Sequence, residues 1–248
     1  MKKILIIQSR AKPEMVASEQ AGYTKVIGDR AELSFVSTID LALPWNEPEK
    51  IIGGFSGIIF GGSGDFDFDG GRNDSDPARV EAHAIRDRLK PLVICAFEKK
   101  IPMLGICFGH QIIAEVHNTR VHSDPLQKKV GSHAVTLTTE GKGDQLFENF
   151  PETFVGQYGH KDSLSSLPEG AVLLATGDNC KFSALRYSPY VYTLQFHPEL
   201  TAEETLWKLQ NSPGYLPEGV DPKSLVKDSK EASTIIPTFV EKIIDRGA

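Results

Sequence analysis

Residues 103–111 read MLGICFGHQ, an apolar strand ending followed by two glycines, a cysteine, a histidine and a glutamine. The run IPMLGI has the continuous apolar character of a strand buried on both faces. FGHQIIAEVHN after it reads as a helix. Gly105-Ile-Cys107-Phe-Gly109 is therefore a strand–turn–helix junction with the pattern of a nucleophile elbow, cysteine standing in place of serine. Such a turn forces its central residue into an uncommon backbone conformation, and small residues two before and two after let strand and helix pass closely. Cys107 would then sit at a helix N-terminus, where the dipole and free N–H groups favour a thiolate. The N–H of Phe108 would point to where an oxyanion forms. The competing reading is plain burial, because cysteine is among the residues most often found in cores.

Working outward, KILIIQ, ELSFVSTI and SGIIFGG read as three further strands, with a helix-compatible stretch over about 13–28. From Pro77 to Lys99 the pattern is helical, with Val80, Ala84, Ile85, Leu89, Val93 and Phe97 near one face. Strands alternating with helices predict an α/β fold with a parallel sheet and helices on both faces. Ligands sit at the carboxyl ends of the strands in such sheets, and both glycine clusters, FGGSGD and GICFG, lie there. Beyond about residue 126 the chain changes to short β-like runs separated by Gly, Pro, Asn and Asp, a meander or mixed extension of the sheet. A helix over 202–210, a Pro/Gly-rich loop at 211–222 and a helical stretch over about 223–246, with Pro237 at a break or start, complete the reading. With no internal repeat, low-complexity tract or linker, the expected organisation is one domain over 1–248, its core at about 1–202 and a C-terminal helical extension over about 203–248.

A length of 248 residues suits one large α/β domain. The net charge of -6 argues against a nucleic-acid groove. No apolar run approaches the roughly 20 residues that span a bilayer, so no membrane partner is expected. MKKILIIQSR begins like a secretory n-region, but its apolar part is only ILII and no small-residue cleavage site follows; it reads as a first buried strand. Cys95, Cys107 and Cys180 are too few and too widely spaced for a disulfide framework or a zinc site. No metal or cofactor is expected, and a reducing cytoplasm is the expected setting.

A thiol nucleophile needs a base, and the base needs an orienting partner. LQFHPEL supplies His197 and Glu199 just after an apolar strand, with Pro198 stiffening the turn. His197 would reach Cys107 while Glu199 holds the other imidazole nitrogen and fixes the tautomer. His83, His117, His122 and His133 pair with no acid at useful spacing and read as solvated or locally bonded. His110 reads as packing beside the elbow, and Cys95 and Cys180 as core filler.

GICFGHQ together with QFHPE resembles the class I glutamine amidotransferases, the group with a Cys-His-Glu triad. The likeness runs in order over about residues 40–202, through IIFGGSGD, PMLGICFGHQ, VGSHAVTLT, YGHKDSLSSLPEGAVLLATG and VYTLQFHPE, with the flavour of the free-standing, GMP-synthase-like group. The resemblance implies a flavodoxin-like, three-layer fold. It also implies a reaction in which Cys107 attacks the side-chain amide carbon of glutamine, ammonia leaves, and water hydrolyses the γ-glutamyl thioester with His197 as base. It implies an oxyanion hole made by the N–H of Phe108 and an N–H of the glycine turn, taken as Gly62. Gln111 would contact the substrate's amino-acid portion, and the backbone of Gln157, Tyr158, Gly159 and His160 would lie near its α-carboxylate and α-amino groups. Two stretches depart from the pattern. The glycine turn lacks a nearby proline, and Tyr158-Gly159-His160 stands where relatives often show a His-Gly-Asp-like stretch; both bear on fine specificity, not on the triad.

Asp65–Asp76, DFDFDGGRNDSD, nearly matches a calcium loop, but a strand and glycine turn precede it and its last ligand is Asp. It reads as a mobile acidic rim loop beside the site. GGSG lacks the Lys-Ser/Thr of a phosphate loop. The expected function is hydrolysis of glutamine or another γ-glutamyl compound. With no ATP-site signature and no room for a synthetase domain, the released ammonia would serve a separate synthetase chain. The rival readings are a γ-glutamyl peptide hydrolase with a wider pocket and a non-catalytic binding subunit, and an intact triad argues against the second.

Overall fold

The apolar runs near the N-terminus are strands buried on both faces in the computed structural model, which describes residues 2–212, 214, 216 and 219–245. In β1 (Lys3–Gln8), Ile4 and Ile6 face one layer and Leu5 and Ile7 the other, all four buried. The remaining strands are β2 (Glu32–Ser37), β3 (Gly57–Phe60), β4 (Met103–Ile106), β5 (Val121–Ser123), β6 (Lys129–Leu137), β7 (Thr153–His160), β8 (Asp162–Leu164), β9 (Val172–Gly177), β10 (Cys180–Ser188) and β11 (Val191–Leu194). Nine of them form one sheet in the order β2-β1-β3-β4-β11-β10-β9-β6-β7. Neighbours from β2 to β11 are parallel and those from β11 to β7 antiparallel, so the sheet is mixed, as the change of pattern near residue 126 predicted. The short ribbon β5–β8 lies apart from it and was not foreseen.

Helices cover both faces, completing three layers. On one side α2 (Pro48–Ile52), α3 (Pro77–Glu98) and α4 (Phe108–Val116) pack with Leu5, Ile58, Phe60 and Met103. On the other, α1 (Pro13–Ile27) places Tyr23 and Ile27 against Ile4, Ile6 and Ile59. The face of α3 differs from expectation: Ala82, Ile85, Leu89, Leu92, Val93 and Ala96 are buried, while Val80 is 52% exposed. Val80 lies two residues from Ala82, on the opposite side of a 3.6-residue turn.

Two short helices, α5 (Thr139–Lys142) and α6 (Ala202–Asn211), follow. The expected continuous helix over 223–246 is interrupted. A 3-10 turn spans Pro222–Leu225, and helix resumes only at Ala232, running through α7 (Ile235–Thr238) into a π turn over Phe239–Ile244. Between them the chain bonds across to β6 and β7: Lys227 N–H donates to Ser132 Oγ at 2.7 Å, and its carbonyl accepts from Gln157 Nε2 at 2.8 Å. Pro237 lies in the first turn of α7, where its missing N–H costs no helical bond. Ile235, Ile236, Phe239, Val240, Ile243 and Ile244 are buried in the same core as α1. Arg246, and four residues of the expected 211–222 loop (Pro213, Tyr215, Pro217 and Glu218), lie outside the described residues.

Candidate functional site

Four neighbouring parallel strands end on one edge, and each contributes to the site. Gln8 ends β1 and Arg10 follows two residues on, the glycine turn follows β3, Cys107 follows β4 and His197 follows β11. Cys107 has φ 52° and ψ -100°, a left-handed-side conformation that a non-glycine residue adopts only where its surroundings enforce it. The enforcement is visible. The N–H of Cys107 donates to Leu194 O at 2.7 Å, and Gly109 N–H donates to Gly61 O at 3.1 Å. A Cβ on Gly105 would lie 2.7 Å from Gly109 O, and one on Gly109 would lie 2.3 Å from Phe60 O. The two glycines are thus required by close passage, as the elbow pattern predicted. The Phe108 ring stacks on Phe68 at 5.3 Å, and the Phe108 N–H opens α4, among the groups that lack an intrahelical acceptor.

Parallel pairing of β4 with β11 sets Ile106 opposite Leu194, and so brings Cys107 and His197 to the same rim. His197 N–H is anchored on Gln157 O at 2.7 Å, and His197 Nδ1 meets Glu199 Oε1 at 2.6 Å. Both side chains are buried. Burial lowers the proton affinity of His197, but the charges of Glu199 and Cys107 and hydrogen bonds to both overcome it and push the imidazole up to about 9. Burial raises Glu199, yet the His197 charge and hydrogen bond hold it below the ordinary carboxylate range. The Cys107 sulfur also approaches Gly159 O at 3.9 Å. The arrangement is a sulfur, a strongly basic imidazole and a buried carboxylate in sequence.

Gly62 lies against this pair. A Cβ there would stand 2.6 Å from His197 Cε1 and 3.2 Å from the Arg10 guanidinium. Arg10 and its partner were not foreseen. Arg10 is 6% exposed and donates through Nε and Nη2 to Glu19 Oε1 at 3.1 and 3.0 Å; Gln8 Nε2 donates to Glu19 Oε2 at 2.9 Å. This buried ion pair underlies the glycine turn. A signal was present: α1 buries Met15, Glu19, Gly22, Tyr23 and Ile27, and an acid on an apolar stripe requires a buried partner.

The residues expected at the substrate separate into two kinds. Gln111, Gly159 and His160 line a cavity at the Cys107 sulfur together with Ser63, Asp67 and Asp162. Gln111 is held in place by donating to Asp162 O at 2.9 Å. His160 is held neutral, lowered to about 4 by burial, with Nδ1 3.0 Å from Asp162 O. Tyr158 is different. Its ring belongs to the core beside Phe196, and its hydroxyl donates to Ser183 Oγ at 3.0 Å. His110 bonds Thr193 Oγ1 at 2.8 Å, in keeping with packing. His83 and His117 pack on aromatic rings instead of being solvated.

The acidic loop is at the rim but is pinned, contrary to its expected mobility. Phe66 and Phe68 are buried. Asp67 pairs with Arg72 at 3.0 Å and with Lys161 at 3.2 Å, Asp76 caps α3 through Ala78 N–H, and Asp162 accepts from Asp69 and Gly70 N–H. Its carboxylates are committed to these contacts.

Comparison with known proteins gives a match to the family model for glutamine amidotransferase class-I over residues 76–209, which contains Cys107, His197 and Glu199. The chain is similar to the amidotransferase-type "A" chain of the glutamine-hydrolyzing GMP synthase of Methanocaldococcus jannaschii, 34% identical over 119 residues, which is 48% of this chain and 61% of that one. It is similar also to the protein of the same name from Methanopyrus kandleri, 29% identical over 160 residues, 64% of this chain and 74% of that one. The chain thus spans about three fifths of the first relative's length. In fold it resembles a glutamine amidotransferase of Thermotoga maritima, with a TM-score of 0.71 over 98% of both chains at 19% identity. No helix among the described residues is long and apolar enough to cross a membrane.

Proposed function

The chain belongs to the class I glutamine amidotransferase family, and from that premise we propose that it hydrolyses the side-chain amide of glutamine through a thioester on Cys107. The observation that carries this reading is the buried Cys107–His197–Glu199 series closed against a glycine turn. The sulfur attacks the amide carbon, and the charge that develops on oxygen is taken by the N–H groups of Phe108 and Gly62. Donors of this kind contribute on the order of 3 kcal/mol each in comparable sites. His197, which binds a proton firmly, gives it to the departing nitrogen, and ammonia leaves. A water then loses its proton to His197 and attacks the thioester, releasing glutamate. Glu199 holds the ring in the orientation that serves both steps.

The cavity at the sulfur supports the substrate assignment. Asp67 and Lys161 offer opposite charges within it, suited to the α-ammonium and α-carboxylate of an amino acid, and Gln111 and Gly159 add neutral contacts. We propose that the chain acts as one amidotransferase-like unit over its full length. The GMP synthase names of its relatives, each given as one of the enzyme's subunits, support delivery of ammonia to a separate synthetase chain. The test is glutamate release from glutamine by the purified protein, alone and with candidate synthetase chains. Turnover that disappears in Cys107→Ala is the expected result; wild-type protein inert to glutamine in every combination overturns the reading.

A further inference from the structure

A second cavity opens on the far side of His197, and it is chemically unlike the first. Ser63 and Gly159 line both, so the two meet at the reacting bond. The first cavity contains the sulfur and accommodates the acyl half of the substrate. The second contains His197, Arg10, Lys12 and Lys208. The proton donor to a leaving amine must stand beside its nitrogen, so whatever that nitrogen carries projects past His197. Ammonia carries nothing and leaves this space unused.

The charge of the space is specific. Arg10 is buried and spends one edge on Glu19. Lys208, on α6, has its Nζ buried with no hydrogen-bond partner among the described residues. A buried ammonium without an acceptor is destabilising unless a ligand supplies one. Burial pushes Lys208 down to about 8, so it still carries its proton at neutral pH. Lys12 adds an exposed positive charge at the mouth. The carboxylate of Asp65, which also lines the cavity, accepts from Ala11 N–H at 3.0 Å. Met15, Leu200 and Leu209 supply an apolar wall.

We propose that this cavity binds the carboxylate of an amine leaving group, so that γ-glutamyl amino acids are substrates of the same site. The proposal rests on the hydrolase reading above. The Cys107 sulfur forms a bond to the γ-carbonyl carbon, the C–N bond breaks, and the His197 proton passes to the leaving nitrogen. The free amino acid departs with its carboxylate on Lys208 and Arg10. Water then adds to the thioester, giving its proton to His197, and glutamate leaves.

The test compares γ-glutamylglycine with γ-glutamylglycinamide, which differ only in the leaving group's carboxylate. A charge-assisted hydrogen bond gives kcat/KM on the order of tenfold or more in favour of the free acid. Lys208→Met reduces that preference to about twofold, and Lys208→Arg keeps most of it. Because both substrates use the same triad, their ratio cancels any effect of the substitution on Glu199. Equal rates of the wild type on the two dipeptides, hydrolysis of glutamine alone, or a preference untouched by Lys208→Met overturns the proposal. If Lys208→Met does not fold, the wild-type comparison decides. Wild-type protein inert to glutamine and to both dipeptides overturns the hydrolase reading itself.

Discussion

Glu19→Gln removes one charge and leaves the shape of the side chain almost unchanged, yet it should be among the most damaging single substitutions in this chain. Glu19 is fully buried and uses both oxygens as acceptors, one for two Arg10 donors and one for Gln8. Glutamine has one oxygen, so its NH2 must face either Arg10 or Gln8, donor against donor. Arg10 is left buried with an uncompensated charge. Breaking a buried pair from one side costs about 3–5 kcal/mol. In a domain of this size each kcal/mol lowers Tm by roughly 2–4 °C, so the midpoint falls by about 6–20 °C. The assay is urea unfolding of wild type, Glu19→Gln, Arg10→Met and the double variant. Arg10→Met strands the carboxylate in the same way, and removing both partners removes both stranded groups. The double variant should therefore be more stable than Glu19→Gln alone by at least about 2 kcal/mol. A Glu19→Gln cost under about 1 kcal/mol, or a double variant whose losses simply add, would refute the assignment of this pair as a buried brace for the glycine turn.

The elbow and the triad give further expectations. Gly109→Ala places a methyl 2.3 Å from Phe60 O and should cost more than about 2 kcal/mol, with loss of glutamine hydrolysis; Gly159→Ala meets nothing within 4 Å and should leave stability within about 0.5 kcal/mol while raising KM from inside the cavity. Glu199→Gln should lower the His197 titration, followed by NMR, from about 9 toward 6.5, and reduce kcat. The sign of the linked stability is fixed by the same shift. His197 binds its proton more tightly folded than unfolded, so its contribution is full below about pH 6.5 and is lost as pH rises toward 9. That contribution is on the order of 3 kcal/mol. Urea midpoints of wild type and Glu199→Gln between pH 6 and 9.5 should converge, and the difference separates His197 from Lys208, which titrates in an overlapping range.

Much of this was legible in the chain because the requirements are local. The elbow needs glycine at 105 and 109 whatever surrounds it, since backbone passes there at less than a carbon's width. His197 and Glu199 are two residues apart and declare their partnership by spacing. The strands near the N-terminus announce double-sided burial by unbroken apolar runs. What escaped depends on chain segments that meet only in the fold. Arg10 finds Glu19 across a loop and two helical turns, and Lys208 reaches the site from α6, beyond the part of the sequence with a diagnostic pattern. The rim loop looked mobile because its acids dominate the reading, yet Phe66 and Phe68 fasten it by burial. Residues 226–231 carry no signal for extended backbone; Ser132 and Gln157 impose it from another strand.

The pairing of β4 with β11 has a further consequence. Sulfur and imidazole are neighbours on adjacent rails of one ladder, so their separation is fixed by hydrogen bonding between two four-residue strands and not by the length of chain that joins them. Everything between α4 and β11, the ribbon, the antiparallel flank and their turns, hangs from those rails as a detour. Evolution is free to lengthen, trim or redecorate the detour, and with it the surface offered to other molecules, while the distance between the two reacting atoms is inherited unchanged.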